Sequence, residues 1–246
     1  MNDYERALAL QEETIAHRRY LHTNAEVGLV MPKAKAYVME KLAECGIVPQ
    51  ECGHGVTATI GHGGKCILLR ADMDALPMGE ESGESFACPT GTEAHCCGHD
   101  FHAAMLLTAA KMLKEKEDTL EGTVKLMFQT GEETFEGAKN MLENGILENP
   151  VPEAALAFHV TSGKMPIGIY MYNSTGTMMF SVDGFKITVT GRGNYTGKVE
   201  LPWSITPATI TVTGGAETVA VYNNGKAYAI APFVAETVDG SAATVT

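Results

Sequence analysis

The sequence predicts an α/β layered domain, in which helices flank a mostly parallel, mixed sheet, followed by a β-rich C-terminal segment. Two observations predict this fold. Short apolar runs alternate with helical patterns up to Val160, and such alternation favours a largely parallel sheet covered by helices. From Ser181 onward the chain is rich in Thr, Val and Gly and alternates without a helical period. We therefore divide the chain into residues 1–180 and 181–246.

Four segments of the first part carry apolar residues at helical spacing. In the first of them Leu8, Leu10, Ile15 and Leu21 recur at roughly helical intervals. Gly46 is a typical stop signal for the second. The predicted helices cover residues 1–22, 33–45, 102–116 and 136–144.

Short β-type runs lie between and after these helices. Strands are predicted at residues 56–60, 66–70, 123–129 and 154–160, and continuous apolar runs such as 66–70 are typical of strands buried on both faces. The C-terminal segment predicts further strands at residues 185–190, 209–213, 218–222 and 227–231. Asn223-Asn224-Gly225 predicts a hairpin between the last two.

Composition and charge exclude several classes of partner. The 246 residues include 30 acidic and 18 basic side chains, for a net charge of −12, which argues against nucleic acid and anionic membranes as partners. No apolar run approaches the roughly 20 residues that a membrane helix needs. Six cysteines occur without an export signal, so we expect reduced thiols and a cytoplasmic protein.

Two carboxylates directly follow the predicted strand over residues 66–70, in Arg70-Ala71-Asp72-Met73-Asp74. In open α/β sheets, binding sites form beyond the carboxyl ends of the strands. Asp is also frequent in turns and helix caps, which is the alternative interpretation for either residue alone. The two together favour a site.

The run His95-Cys96-Cys97-Gly98-His99-Asp100-Phe101-His102 is the densest group of metal-ligand side chains in the sequence. Thiolate and imidazole together suit zinc and similar divalent ions. Gly98 lets Cys97 and His99 turn to one side of a tight loop, and we expect Asp100 to orient a ligand imidazole. The alternatives are a structural zinc site, which normally needs a second Cys/His knuckle, or a reactive Cys–His pair.

Two further polar groups follow predicted strands. Glu132 and Glu133 come after the strand over residues 123–129, and neighbouring side chains of an extended stretch point in opposite directions. One can therefore bind a metal while the other faces a substrate, although acidic residues also favour helix N-termini. His159 lies near the end of the run 154–160. A single histidine there is more often a core residue, and the other ligand sources favour a site role.

In this order, the motifs resemble the metal-dependent amidohydrolase family that includes hippurate hydrolase, indole-acetyl-amino-acid hydrolases, N-acyl amino-acid deacylases and N-acetyldiaminopimelate deacetylase. His17-Arg18-Arg19-Tyr20-Leu21-His22 and Gly191-Arg192-Gly193 add to the similarity. The resemblance implies a zinc-aminopeptidase-like fold. It also implies hydrolysis of the amide bond of N-acyl amino acids, which are small-molecule substrates.

The resemblance also assigns residues to roles. It implies two divalent metal ions, zinc or manganese, and their ligands fall on Cys97, His99, Glu133 and His159. The general base falls on Glu132. The aspartate that steers the site falls on Asp74, with assistance from Asp72.

Two departures from the family accompany this match. After Gly191-Arg192-Gly193 the family has a glycine and a lid histidine, where this chain has Asn194-Tyr195-Thr196-Gly197, and no histidine follows His159 to act as the family's last ligand. We therefore predict that residues 1–180 are the N-terminal part of the catalytic domain. Residues 181–246 are predicted to begin a lid-like region and to continue in an atypical tail from Leu201. We also predict that the hydrolytic activity is weak or lost. The alternative is a catalytically inactive fragment that binds metal or an amino acid. Surface uncovered by the missing lid further predicts a homo-oligomer.

Overall fold

The computed structural model describes residues 2–161, together with four strands at residues 186–190, 198–202, 219–223 and 226–230. The chain divides into two compact units, Met1–Pro166 and Ile167–Thr246. The boundary predicted between residues 180 and 181 lies outside the described residues.

The helices of the first unit agree with the sequence pattern except at one break. They are α1 (Asp3–Ala9), α2 (Gln11–Thr23), α3 (Pro32–Glu44), α4 (His99–Lys114) and α5 (Gly137–Glu143), with a short 3-10 helix at Glu117–Thr119. The single helix predicted over residues 1–22 is wrong, because it is interrupted at Leu10. There the backbone N–H bonds to Arg6 and Ala7 in a tightened turn, and the Leu10 side chain is buried at 5% exposure.

Five strands of the first unit form the predicted mixed sheet, and four of them were predicted individually. They are β1 (Gln50–Cys52), β2 (Gly55–Gly61), β3 (Lys65–Asp72), β4 (Gly122–Gln129) and β5 (Ala154–Ala157), in the order β1-β2-β4-β3-β5. The β4–β3 and β3–β5 pairs are parallel, whereas β2 is antiparallel to both β1 and β4. Four of these strands therefore run in one direction and only β2 runs against them.

Helices cover both faces of this sheet. Successive residues of β4 point to opposite faces, so Leu126 and Phe128 pack in the main core with α2, α3 and α4, while Met127 packs on the other side. There Met141 of α5, itself fully buried, completes a smaller core with Leu68 and Met127. The predicted layered α/β architecture is confirmed.

The described strands of the second unit form two antiparallel pairs. β6 (Lys186–Thr190) pairs with β7 (Lys198–Pro202), and β8 (Val219–Asn223) pairs with β9 (Lys226–Ile230). Asn223 lies opposite Lys226 in the second pair, which agrees with the predicted hairpin. The strand predicted at residues 209–213 lies outside the described residues, and the sequence pattern did not predict β7.

Within the part of the chain that the structure describes, no helix combines the length and apolar character needed to span a membrane.

Candidate metal centre

Three parallel strands end at one edge of the sheet and bring predicted site residues there. β4, β3 and β5 are neighbours that run in the same direction, and β3 and β4 end on paired residues. The chain leaving β3 carries Asp74, the chain leaving β4 carries Glu132 and Glu133, and the chain leaving β5 carries His159. This is the edge at which α/β folds build their sites.

In the described part of the chain, three overlapping groups of candidate metal ligands share His99, and two of them contain the predicted ligands. Cys97, His99 and His159 form one group, and His99, Glu132 and Glu133 form the other; within each group the ligand atoms lie within 4.8 Å of one another. Cys97 Sγ lies 3.4 Å from His159 Nε2. His99 Nε2 lies 3.7 Å from Glu133 Oε1 and 3.8 Å from Glu132 Oε2. The structure thus brings all five residues together around His99.

Asp74 fixes the orientation of the shared histidine. His99 is fully buried, and its Nδ1 lies 3.2 Å from Asp74 Oδ1. The other carboxylate oxygen of Asp74 accepts a hydrogen bond from the backbone N–H of Glu133 at 2.9 Å. One buried side chain therefore ties the imidazole to the loop after β4 and directs His99 Nε2 at the two glutamates, as ligand histidines require.

The donor atoms of this cluster fit a cation. Among the described residues, His99 Nε2 and Glu133 Oε1 are buried without a hydrogen-bond partner. Leaving such atoms unpaired costs about 1–3 kcal/mol each, and coordination would remove that cost. Thiol, imidazole and carboxylate side chains are also the donor types that bind transition-metal ions.

Gly98 shapes the loop that carries Cys97 and His99. It lies before the first turn of α4 with a left-handed φ of +88°, a conformation that favours glycine. A Cβ at this position would lie 2.3 Å from Val160 Cγ2. The loop therefore fits closely against the segment after β5, which brings Cys97 beside His159.

Burial and charge shift the pKa values of three cluster residues. Burial, followed by the charge of Glu133, raises the pKa of the Cys97 thiol to about 12. Burial lowers the pKa of His99, but the hydrogen bond to Asp74 and the nearby carboxylates raise it above its ordinary value. Burial and the charge of Asp72 raise the pKa of Glu132. Each of these three shifts favours the protonated form of the group.

Sequence reasoning gave His102 no role and Asp72 only an assisting one. His102 Nδ1 lies 2.5 Å from Asp72 Oδ1, and Asp72 Oδ2 lies 2.9 Å from Arg70 Nη1. Burial raises the pKa of Asp72, but the hydrogen bond from His102 and the charge of Arg70 lower it to about 2. The available signal was spacing, since His102 follows His99 by three residues and lies on the same side of α4.

The prediction that Asp100 orients a ligand imidazole is wrong. Asp100 Oδ2 lies 2.6 Å from Arg18 Nε and 2.7 Å from His22 Nδ1, and His22 Nε2 lies 2.9 Å from Glu80. Consecutive helical residues point about 100° apart, so Asp100 faces α2 whereas His99 faces the strand ends. Asp74, from the loop after β3, contacts His99 instead.

Comparisons with known proteins give a consistent result. The family description "Peptidase family M20/M25/M40" matches residues 68–246. This match includes the tail from Leu201 onward, which we had expected to be unlike the family. N-acetyl-L-cysteine deacetylase of Bacillus subtilis is 38% identical over 189 residues, 75% of this chain and 44% of that protein. Hippurate hydrolase of Campylobacter jejuni is 37% identical over 201 residues, 79% of this chain and 51% of that protein.

Solved structures agree with these relatives. A dinuclear metal-binding peptidase of the M20 family from Bacillus subtilis matches with a TM-score of 0.59 at 33% identity, over 62% of this chain and 44% of that one. The predicted family and fold are thereby confirmed, and the candidate ligand groups together with this neighbour support binding of divalent metal. The chain spans about half the length of the curated relatives it matches. It belongs to peptidase family M20/M25/M40.

Proposed function

We propose that this chain carries the centre for metal-dependent hydrolysis of the amide bond in N-acyl amino acids. The proposed ligands of two divalent cations are Cys97, His99, Glu133 and His159. One observation carries the proposal: a thiol, two imidazoles and two carboxylates from separate loops converge around the buried His99. Relatives named for the deacetylation of N-acetyl-L-cysteine and the hydrolysis of hippurate support the substrate class.

Glu132 is the proposed general base. Its carboxylate lies 3.8 Å from His99 Nε2 and is half-buried, so it lies beside the proposed ligands and remains partly accessible to solvent. Its raised pKa suits a group that takes a proton from water and passes it to the leaving amine. Divalent cations bound beside it would supply Lewis acidity, which would polarise the amide carbonyl and make a nearby water more acidic.

The remaining site residues position this machinery. Asp74 holds His99 and the Glu133 backbone in one arrangement, so that both ligand atoms face the same point. For the cation itself we propose zinc or manganese, because thiolate and imidazole ligands suit zinc and carboxylates also suit manganese.

Substitution of the base separates hydrolysis from binding. The full chain is loaded with Zn²⁺ or Mn²⁺, and release of amino acid from hippurate and N-acetylcysteine is measured. We expect Glu132→Gln to lower the rate by about 10²–10⁴-fold while metal content stays at the wild-type value. The matched control is Glu136→Gln, which replaces an exposed glutamate four residues further along the chain. This variant should leave the hydrolysis rate and the metal content unchanged.

Two outcomes would contradict the proposal. Hydrolysis unaffected by Glu132→Gln would remove the base assignment. A wild-type chain that binds metal without turning over either substrate would instead favour the inactive binding fragment.

A further inference from the structure

His102 lies beside the candidate ligands and has both ring nitrogens engaged. Its side chain is 2% exposed. Nδ1 lies 2.5 Å from Asp72 Oδ1, and the backbone N–H of Val160 donates a hydrogen bond to Nε2 at 2.9 Å. The ring therefore connects the end of β3 to the segment after β5.

The hydrogen bond from Val160 fixes the tautomer of this ring. An amide N–H can only donate, so Nε2 of His102 accepts and carries no proton. The ring proton lies on Nδ1, where it is donated to Asp72. Although Asp72, His99 and His102 lie within 4.8 Å of one another, neither nitrogen of His102 has a lone pair left for a cation.

The backbone of Val160 is engaged on its carbonyl side as well. His159 Nδ1 lies 2.5 Å from the Val160 carbonyl oxygen, and because a carbonyl can only accept, His159 donates from Nδ1. The lone pair of His159 then lies on Nε2, the atom that is 3.4 Å from Cys97 Sγ. The same residue thus contacts His102 and sets the tautomer of a proposed ligand.

Contacts on both sides of Val160 hold the segment after β5. The pairing of β5 with β3 ends at Ala157, before His159 is reached. Beyond that point, Val160 packs against Gly98 on one side and donates its N–H to His102 on the other. The two imidazole rings of His102 and His159 lie edge to face, with centroids 4.6 Å apart.

We propose that His102 is a positioning residue for the metal ligand His159. Asp72 anchors the His102 ring, the ring holds the N–H of Val160, and the Val160 carbonyl orients the His159 imidazole toward Cys97. This inference rests on the proposed function, since it takes His159 to bind a cation.

Two polar variants test the contact with Val160. In His102→Gln the side-chain oxygen replaces Nε2 and can still accept from Val160, whereas in His102→Asn the shorter amide can reach Asp72 only. Exposed His62, in the loop between β2 and β3, provides the control His62→Gln. Each full chain is checked by circular dichroism and titrated with Co²⁺, whose thiolate charge-transfer absorption reports Cys97 and whose visible bands report coordination geometry.

We expect His102→Asn to weaken Co²⁺ binding by about 10–100-fold, as loss of a residue that orients a ligand typically does, and to alter the visible bands. His102→Gln should bind more tightly than His102→Asn, and His62→Gln should match the wild type. Binding by His102→Asn equal to wild type would overturn the inference. Equal weakening in both variants, or the loss of one bound ion in His102→Gln, would do the same.

A measurement on the wild-type chain makes the test independent of variant folding. Nitrogen-15 histidine spectra should place the proton on Nδ1 in both His102 and His159, and a proton on Nε2 of His102 would overturn the inference. The two proposals fail differently. A wild-type chain that takes up no Co²⁺ ends the proposed function and this inference with it, whereas normal uptake with insensitive His102 variants ends the inference alone.

Discussion

Replacing Gly98 by Ala tests the close fit between the Cys97–His99 loop and the segment after β5. Two costs add up at this position. The left-handed φ of +88° costs an L-residue about 1–2 kcal/mol. The new Cβ would lie 2.3 Å from Val160 Cγ2, and overpacking of this kind costs about a further 1–3 kcal/mol. We therefore expect the free energy of unfolding to fall by about 2–5 kcal/mol.

Two comparisons separate the strain from the clash. Gly63 has a φ of +65°, and a Cβ added there would meet nothing within 4 Å, so Gly63→Ala should lose only the backbone contribution of about 1–2 kcal/mol. The next Val160 atom, Cβ, lies 3.8 Å from the new methyl of Gly98→Ala, so Val160→Ala should relieve the clash in the double variant. Urea unfolding of the metal-free chains, followed by circular dichroism, measures the wild type, the three single variants and the double variant. A Gly98→Ala chain no less stable than Gly63→Ala, or no relief in the double variant, would refute the reasoning.

Two pH-dependent predictions follow from the site. Because burial and Glu133 hold the Cys97 thiol protonated with a pKa of about 12, Zn²⁺ must displace protons, and its apparent affinity should rise from about pH 6 to about pH 8. Calorimetric titration in buffers of different ionisation enthalpy measures the number of protons released on binding. Zn²⁺ binding that is independent of pH and releases no protons would contradict the prediction. Asp72, whose pKa is lowered from 3.8 to about 2, contributes stability above pH 3.8 that is lost as the pH falls through the folded value. Over that window the free energy of unfolding of the wild type should fall by on the order of 2 kcal/mol, and that of Asp72→Asn should fall by less. Acid unfolding experiments in which both chains lose the same free energy would contradict this prediction.

The sequence predicted the sheet and most helices because their apolar patterns are strong. It missed the break at Leu10, since the apolar spacing continues unbroken through that residue although the backbone turns there. It also missed β1, which has only three residues and exposes Gln50 and Glu51. A strand this short has no alternation to detect, so its place depends on pairing with β2.

The candidate site was predictable where it follows from strand topology. Parallel strands end at one edge, so residues just after β4 and β5, such as Glu133 and His159, were expected to meet there. The link from His102 to Val160 was not predictable, because it joins a side chain to a backbone amide 58 residues away. Asp100 was assigned wrongly for a related reason: adjacency to His99 in sequence does not determine which way a helical side chain points.

The central claim is that side chains from separate loops converge on bound cations. Metal content of the purified full chain, measured after saturation with Zn²⁺ and removal of free ion, tests it most directly. We expect about two ions per wild-type chain, as proposed for a two-metal centre, and fewer when Cys97 is replaced by Ser or His99 by Ala. A wild-type chain that retains no zinc, or variants that retain as much as the wild type, would contradict the account.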